Sequence, residues 1–244
     1  MENNSTFEKI LSIDIGGSHI KATILDQQGN LTVDYQKLDT PKPSSPENIL
    51  KTIQALIKNF TAYDCISVGF PGYVKDGVVK TAPNLGSSFW KDVDLKKMLS
   101  DALGKPAKVV NDADMQGLGV VSGKGFEMAV TLGTGFGSAL LIDGYLLPHL
   151  EVAHHPIKKD TDYDQYIGDD ALEEIGDKRW NKRLKKVLEI LKTVFNYDHL
   201  YIGGGNAKRI NFDLDANMTI VSNKDGIKGG ARLWTIKQAP PGSK

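Results

Sequence analysis

Two glycine-rich turns, each set directly behind an apolar run, hold the residues of this chain with the clearest capacity for chemistry. Ile10-Leu11-Ser12-Ile13-Asp14-Ile15 runs into Gly16-Gly17-Ser18, and Ala129-Val130-Thr131-Leu132 runs into Gly133-Thr134-Gly135-Phe136-Gly137. Glycine lets backbone N–H groups approach a ligand closely, and a neighbouring hydroxyl adds a donor, so both turns suit phosphate oxygens. One turn near the start and one past the middle point to a phosphate chain held between two lobes. The spacing fits neither a P-loop nor a dinucleotide fingerprint.

Carboxylates follow the same pattern. Asp14, at the end of its apolar run, reads either as a turn carboxylate or as a ligand for hydrated Mg²⁺, which prefers oxygen and keeps its waters. Asp112, behind Val109-Val110, reads equally as the cap of a following helix, a role Asp114 shares, or as a base for a hydroxyl proton. Glu151 and His154, three apart, suit hydrogen bonds to a polyhydroxylated ligand. A zinc site needs more ligands, and the single cysteine, Cys65, is far away in sequence. Lys182, Arg183, Lys185, Lys186 and Lys192 read as the solvated face of a helix.

These residues must be positioned by alternating strands and helices. Strands are predicted at 10–15, 21–26, 31–37, 65–69, 107–110, 128–132, 138–142 and 199–202, with Gly203-Gly204-Gly205-Asn206 after the last. Helices are predicted at 46–60, 94–103 and 178–195. For the first, Ser44 and Glu47 offer a capping box with Pro46 in the first turn. The last takes its apolar stripe from Trp180, Leu184, Val187, Leu188, Leu191, Val194 and Phe195. Strand–glycine turn–strand recurs in both halves, which predicts two α/β lobes, residues 1–115 and 116–244. The tail 238–244 reads as disordered.

Composition excludes several classes. Thirty Lys plus Arg balance thirty Asp plus Glu in 244 residues, which gives no support for general nucleic-acid binding. No stretch approaches the roughly 20 apolar residues of a membrane span. The polar start Met1-Glu2-Asn3-Asn4-Ser5 is no signal peptide, and one cysteine agrees with a reducing cytoplasm.

Taken in order, the motifs resemble the ROK family of sugar kinases and repressors, within the actin-like ATPase superfamily, and most nearly its polyphosphate glucokinase branch. Asp14-Ile15-Gly16-Gly17-Ser18-His19-Ile20-Lys21 resembles the first phosphate motif. Gly69-Phe70-Pro71-Gly72 and Ala82-Pro83-Asn84-Leu85 resemble the sugar-side loops, and Val110-Asn111-Asp112-Ala113-Asp114 the catalytic segment. Leu132 to Ala139 resembles the second phosphate motif. Glu151-Val152-Ala153-His154 is similar to the Glu-x-Gly-His sugar motif, with alanine for glycine. Gly203-Gly204-Gly205 resembles the loop near adenosine in ATP-using relatives.

The resemblance implies a two-lobed, ribonuclease H-like α/β fold with a cleft between lobes. It implies Asp112 as base toward the 6-hydroxyl of a hexose, glucose first, with phosphoryl transfer from polyphosphate or ATP. Pro71, Gly72, Asn84, Asn111, Asp112, Glu151 and His154 would bind sugar. Gly16, Gly17, Ser18, His19, Lys21, Gly133, Thr134, Gly135 and Gly137 would hold donor phosphates. Gly203, Gly204 and Gly205 would lie by a nucleotide, and Asp14 would organise Mg²⁺. Lys21, Lys124 and the basic helix are candidates for a polyphosphate track. A homodimer is implied.

The departures from the pattern are specific. The family's cysteine-rich zinc motif cannot exist with one cysteine, and Pro156 to Tyr163 is unlike the usual glucokinase continuation. Nine residues before the first strand are too few for the repressors' helix-turn-helix, so no DNA-binding role is expected. A sugar sensor without turnover would keep Asn84, Glu151 and His154 but lose the donor loops or the base. Both are present here, which favours the enzyme. An actin-like structural ATPase would not need the sugar-side motifs.

Overall fold

The structure, a computed structural model, describes residues 7–60, 62–222 and 226–235. It divides into two compact units, one comprising the chain up to Met115 with a returning segment from Ile227, the other Gln116–Gly226.

In the first unit, β1 (Ile10–Ile15), β2 (His19–Leu25), β3 (Gln36–Asp39), α1 (Pro46–Leu56) and β4 (Cys65–Phe70) come first. A small hairpin of β5 (Val74–Lys75) and β6 (Val78–Val79) follows, then α2 (Ser87–Trp90), α3 (Leu95–Leu103), β7 (Ala107–Asn111) and the start of α4 (Asp112–Val120), which runs on into the second unit from Gln116. The sheet order is β3-β2-β1-β4-β7. β1 is antiparallel to β2 and parallel to β4, which is parallel to β7. β4 is buried along its whole length, as parallel strands covered on both faces require. Its core joins Ile13, Ile20, Val68 and Phe70 to Ile49 and Ile53 of α1 and to Trp90.

The second unit repeats this plan. β8 (Phe126–Leu132), β9 (Phe136–Ile142), β10 (Tyr145–Leu146), a small hairpin of β11 (Pro156–Lys158) and β12 (Thr161–Asp162), α5 (Tyr163–Ile167), α6 (Asp169–Phe195), β13 (His199–Gly203) and β14 (Met218–Ile220) follow in order. The main sheet runs β10-β9-β8-β13-β14, with β8 antiparallel to β9 and parallel to β13. In each sheet a glycine turn links the central strand to its antiparallel neighbour. Trp180, Leu184, Val187, Leu188 and Leu191 of α6 are buried against this sheet.

Several sequence expectations shift. The third strand, expected at 31–37, lies at Gln36–Asp39; of the expected stretch only Leu31 bridges separately to Leu25. The cap of α1 is Ser45, whose hydroxyl accepts from Asn48 N–H at 3.3 Å, while Ser44 donates to Pro41 O. The helix ends at Leu56 rather than 60. The long helix begins earlier, at Asp169, with a break at Gly176, and Val194 is 64% exposed instead of completing the stripe.

The second lobe was expected to keep everything to residue 244, yet the helix Gly229–Thr235 packs in the first unit. Ser67 Oγ donates to Gly230 O at 2.6 Å and accepts from Trp234 Nε1 at 2.9 Å, and Lys108 Nζ donates to Leu233 O at 2.7 Å. Ala231 is small enough to pack with Ile10, Leu25 and Cys65. The tail expected at 238–244 lies outside the described residues. Among the described residues no helix is long and apolar enough to cross a membrane.

Glu127 anchors the start of β8. It is fully buried, and its carboxylate accepts from Ser122, Gly123 and Lys124 N–H and from the Tyr201 hydroxyl at 2.7–3.2 Å. Burial pushes this carboxyl up, but the donors outweigh it and hold it below its ordinary value. Glu127→Gln puts an amide NH₂ against these donors. It is expected to cost about 1–3 kcal/mol at neutral pH by urea denaturation. The folded-state value is depressed, so the wild-type advantage is present above the ordinary carboxylate range and is lost as pH falls through the folded value. Equal urea midpoints at neutral pH would refute this.

Candidate active site

In the first unit the candidates converge at the carboxyl ends of β1, β4 and β7. Asp14 on β1 lies beside Gly69 on β4, and Gly69 beside Val110 on β7. Antiparallel pairing sets Lys21 opposite Asp14, and Lys21 Nζ is 3.2 Å from Asp14 Oδ2. Tyr35, which the sequence reading missed, faces the same carboxylate. Burial and then the Asp14 charge push its hydroxyl well above the ordinary tyrosine range.

The Gly16-Gly17-Ser18 turn is held by its own backbone and by Thr40. Gly16 N–H donates to His19 O, Thr40 Oγ1 donates to Gly16 O at 2.6 Å, and Thr40 N–H donates to Ser18 O. The Gly17 and Ser18 N–H groups and the Ser18 hydroxyl have no protein partner among the described residues. His19 Nε2 is 3.4 Å from Asp39 Oδ1. Asn84 lies over this turn: a Cβ built on Gly17 would sit 3.6 Å from Asn84 Cβ.

Asn111, buried at the end of β7, ties the next pieces together. Its Nδ2 donates to Gly72 O at 3.1 Å, and its Oδ1 accepts from Ala113 N–H at 2.8 Å and Asp114 N–H at 3.3 Å. The side chain that caps α4 is therefore chiefly Asn111. Asp112, half-buried, accepts from the adjacent Ala113 N–H at 2.8 Å. Gly69 lets this turn pack on β4, since a Cβ there would come within 3.2 Å of Asp112 Cα. Pro71 and Gly72 are buried beside Thr81 and Ala82, which lead to Asn84.

The second unit assembles the remaining candidates. In the 133–137 turn Gly133 N–H donates to Gly135 O at 3.1 Å, and Gly137, the second residue of β9, pairs opposite Thr131. The Thr134 and Gly135 N–H groups and the Thr134 hydroxyl have no protein partner among the described residues. Gly204 has φ 90°, and a Cβ on it would overlap the Leu132 backbone, so the Gly203-Gly204-Gly205 turn abuts the entry to the phosphate-type turn. Asn206 N–H donates to Leu132 O at 3.0 Å.

Glu151 and His154 lie on one short turn but pair with different residues. Glu151 Oε1 is 3.6 Å from His149 Nε2, and His154 Nδ1 is 3.5 Å from Asp162 Oδ2. His149 holds the Glu151 carboxyl below its ordinary value against the opposing effect of burial. Ala153, where the motif has glycine, buries its methyl in the second unit's core. His149, Asp162 and Asp164 were missed by the sequence reading. A sequence signal existed only for Asp162, whose pairing with Gln165 three residues on is a capping box, and both halves of it form.

The pattern of the ROK family matches residues 10–153. The chain is 33% identical over 207 residues to the polyphosphate glucokinase of Mycobacterium tuberculosis, covering 81% of this chain and 77% of that protein. It is 34% identical over 244 residues to that of Mycobacterium leprae, covering 91% and 74%. The inorganic polyphosphate/ATP-glucomannokinase of Arthrobacter sp. strain KM superposes with a TM-score of 0.84 at 30% identity, covering 93% of this chain and 98% of that one. A ROK family glucokinase from Streptomyces griseus, in complex with glucose and AMPPNP, gives 0.78 at 20% identity, covering 92% and 98%. These likenesses show an actin-like ATPase fold, α/β with mixed sheets. The chain belongs to the ROK family.

Proposed function

We propose that this chain is a hexose kinase that moves the terminal phosphoryl group of polyphosphate or ATP to the 6-hydroxyl of a hexose, glucose first. The observation that carries the reading is Asp112. Its half-buried carboxylate stands at the carboxyl end of β7, at the first residue of α4 and next to Asn111, in the same unit as the Gly16-Gly17-Ser18 turn. The similarity to polyphosphate glucokinases supports the substrate classes.

In this reading Asp112 accepts the hydroxyl proton as the sugar oxygen bonds to the terminal phosphorus and the bridging P–O bond breaks. ADP or a shortened polyphosphate leaves, and catalysis rests on positioning and charge stabilisation. Pro71, Gly72, Asn84, Asn111, Glu151 and His154 orient the sugar. Asn111 has its Oδ1 and one Nδ2 hydrogen committed within the protein, leaving one N–H for a hydroxyl. Gly16, Gly17, Ser18, His19 and Lys21 with Gly133, Thr134, Gly135 and Gly137 receive donor phosphates, and Gly203, Gly204 and Gly205 lie by the nucleoside when ATP is used.

Among the described residues no three His, Cys, Asp or Glu side chains gather to hold a metal ion. A single carboxylate such as Asp14, partly exposed and paired with Lys21 at the end of the strand that leads into the first glycine turn, fits Mg²⁺, which is commonly bound by one or two carboxylates plus substrate phosphates and water. When bound, the ion neutralises charge on the donor phosphates. A cytoplasmic location, supported by the single cysteine, and a homodimer, implied by the resemblance, complete the reading.

The test is the initial rate of glucose 6-phosphate formation with Mg²⁺, comparing long-chain polyphosphate with ATP. Turnover with polyphosphate is the expected result. Turnover with ATP alone would keep the kinase and discard the polyphosphate donor. Failure with both donors, on glucose and on other hexoses and amino sugars, would overturn the reading in favour of a sugar sensor.

A further inference from the structure

The second glycine turn contains an anion of the protein's own. Thr134 and Gly135 offer their N–H groups outward, but the next amide is taken: Phe136 N–H donates to Asp164 Oδ1 at 2.6 Å. A Cβ built on Gly135 would lie 2.8 Å from that same oxygen, so the carboxylate is seated directly against the turn. The seat is braced behind Asp164. Gly168 N–H donates to Asp164 O at 2.8 Å, Asp169 N–H donates to Thr134 O at 3.3 Å, and α5 starts from the Asp162 capping box.

The charges that face Asp164 are known. Burial, its largest influence, pushes the carboxyl up, and the net displacement is upward. The Phe136 N–H and His154 pull it down, while Asp162 and Glu151 push it further up. A donor polyanion received by Thr134 and Gly135 adds more charge of the same sign within a few ångströms, and like charges at such range favour the protonated acid.

We propose that Asp164 is a positioning residue that holds the second glycine turn in its donor-binding shape and takes up one proton from solvent as the donor binds, so that donor affinity falls as pH rises. The inference rests on the reading of the 133–137 turn as a donor-phosphate site. The proton adds to Oδ2, Oδ1 continues to accept from Phe136 N–H, and no bond to phosphorus forms or breaks at Asp164. The sign follows from linkage. Below the free-enzyme value Asp164 is neutral with and without donor, and affinity is independent of it. Between the free and the donor-bound values one proton enters per donor, and Kd rises by at most about tenfold per pH unit.

The experiment is calorimetric titration of long-chain polyphosphate with Mg²⁺ into the wild type, Asp164→Asn and Asp164→Ala. It is run from mildly acidic to mildly alkaline pH in two buffers of different ionisation enthalpy. Protonation of polyphosphate itself is common to all three proteins and cancels in the comparison. Asparagine keeps an acceptor for Phe136 N–H without the charge. Asp164→Asn is expected to bind about three- to tenfold tighter than the wild type at the alkaline end. It should also show a flatter pH dependence and less proton uptake. Asp164→Ala loses the acceptor and is expected to bind at least about tenfold more weakly than Asp164→Asn. Equal proton uptake and equal pH slopes for wild type and Asp164→Asn would overturn the proton coupling. Equal affinities for the alanine and asparagine variants would overturn the positioning role. No binding by the wild type would overturn the donor reading and this inference with it.

Discussion

Asp112→Asn is expected to lower kcat by about 10²–10⁴ with the sugar KM within a few-fold of wild type. Asparagine is nearly isosteric and keeps an oxygen for the Ala113 N–H that Asp112 holds at 2.8 Å, so the backbone at the start of α4 has no reason to move. What it cannot do is receive the hydroxyl proton. The same variant separates the two roles that the sequence leaves open. A capping carboxylate would cost stability when neutralised. Here Asn111 Oδ1 already serves Ala113 and Asp114 N–H, so the favourable charge that neutralising Asp112 removes from the helix start is worth about 0.3–1 kcal/mol. A large fall in turnover beside a small shift in the urea midpoint supports the base. A stability loss with near-normal turnover would sink the assignment and restore the cap.

The parts of this architecture that announce themselves in sequence are those where a local pattern and a tertiary role coincide. β1 and β8 read clearly because each is a mostly apolar run followed directly by glycine, and each is the central strand of its sheet. β3 did not, because all four of its residues are exposed and it is held by backbone pairing with β2, leaving no hydrophobic alternation to read. The helix Gly229–Thr235 opens with two glycines, poor helix formers, and forms where Ser67 and Lys108 receive it across more than a hundred residues of sequence. The site shows the same split. Asp14, Asp112, Glu151 and His154 stand behind recognisable local patterns. Thr40 and Asp164 reach their turns from 24 and 28 residues away, so neither pattern contains them.

Gly72→Ala is expected to lower kcat/KM by about 10²-fold and to cost about 1–3 kcal/mol of stability, although it adds one methyl group to a residue whose only proposed contact with substrate is through its backbone. A Cβ at Gly72 would overlap the Thr81 carbonyl oxygen and come within 3.3 Å of Ala82 Cα. Both are backbone atoms that cannot rotate aside, as the end of a flexible side chain would, so one strand of the loop must move. Gly72 O is the acceptor for Asn111 Nδ2, and Asn111 Oδ1 fixes the first turn of α4, whose first residue is Asp112. Displacement therefore reaches the base through two hydrogen bonds. On the other side it reaches Asn84 through the Thr81–Ala82 segment that Gly72 touches. An ångström of misplacement at a reacting group is enough for a loss of this size. The variant should differ from Asp112→Asn in kind, because a misplaced base still titrates. Its pH–rate profile should keep the wild-type acidic limb while sugar KM rises, whereas Asp112→Asn loses that limb at nearly unchanged KM. A Gly72→Ala protein with wild-type kcat/KM would show that the loop absorbs the methyl without moving Asn111, and the coupling from Gly72 to Asp112 would have to be abandoned.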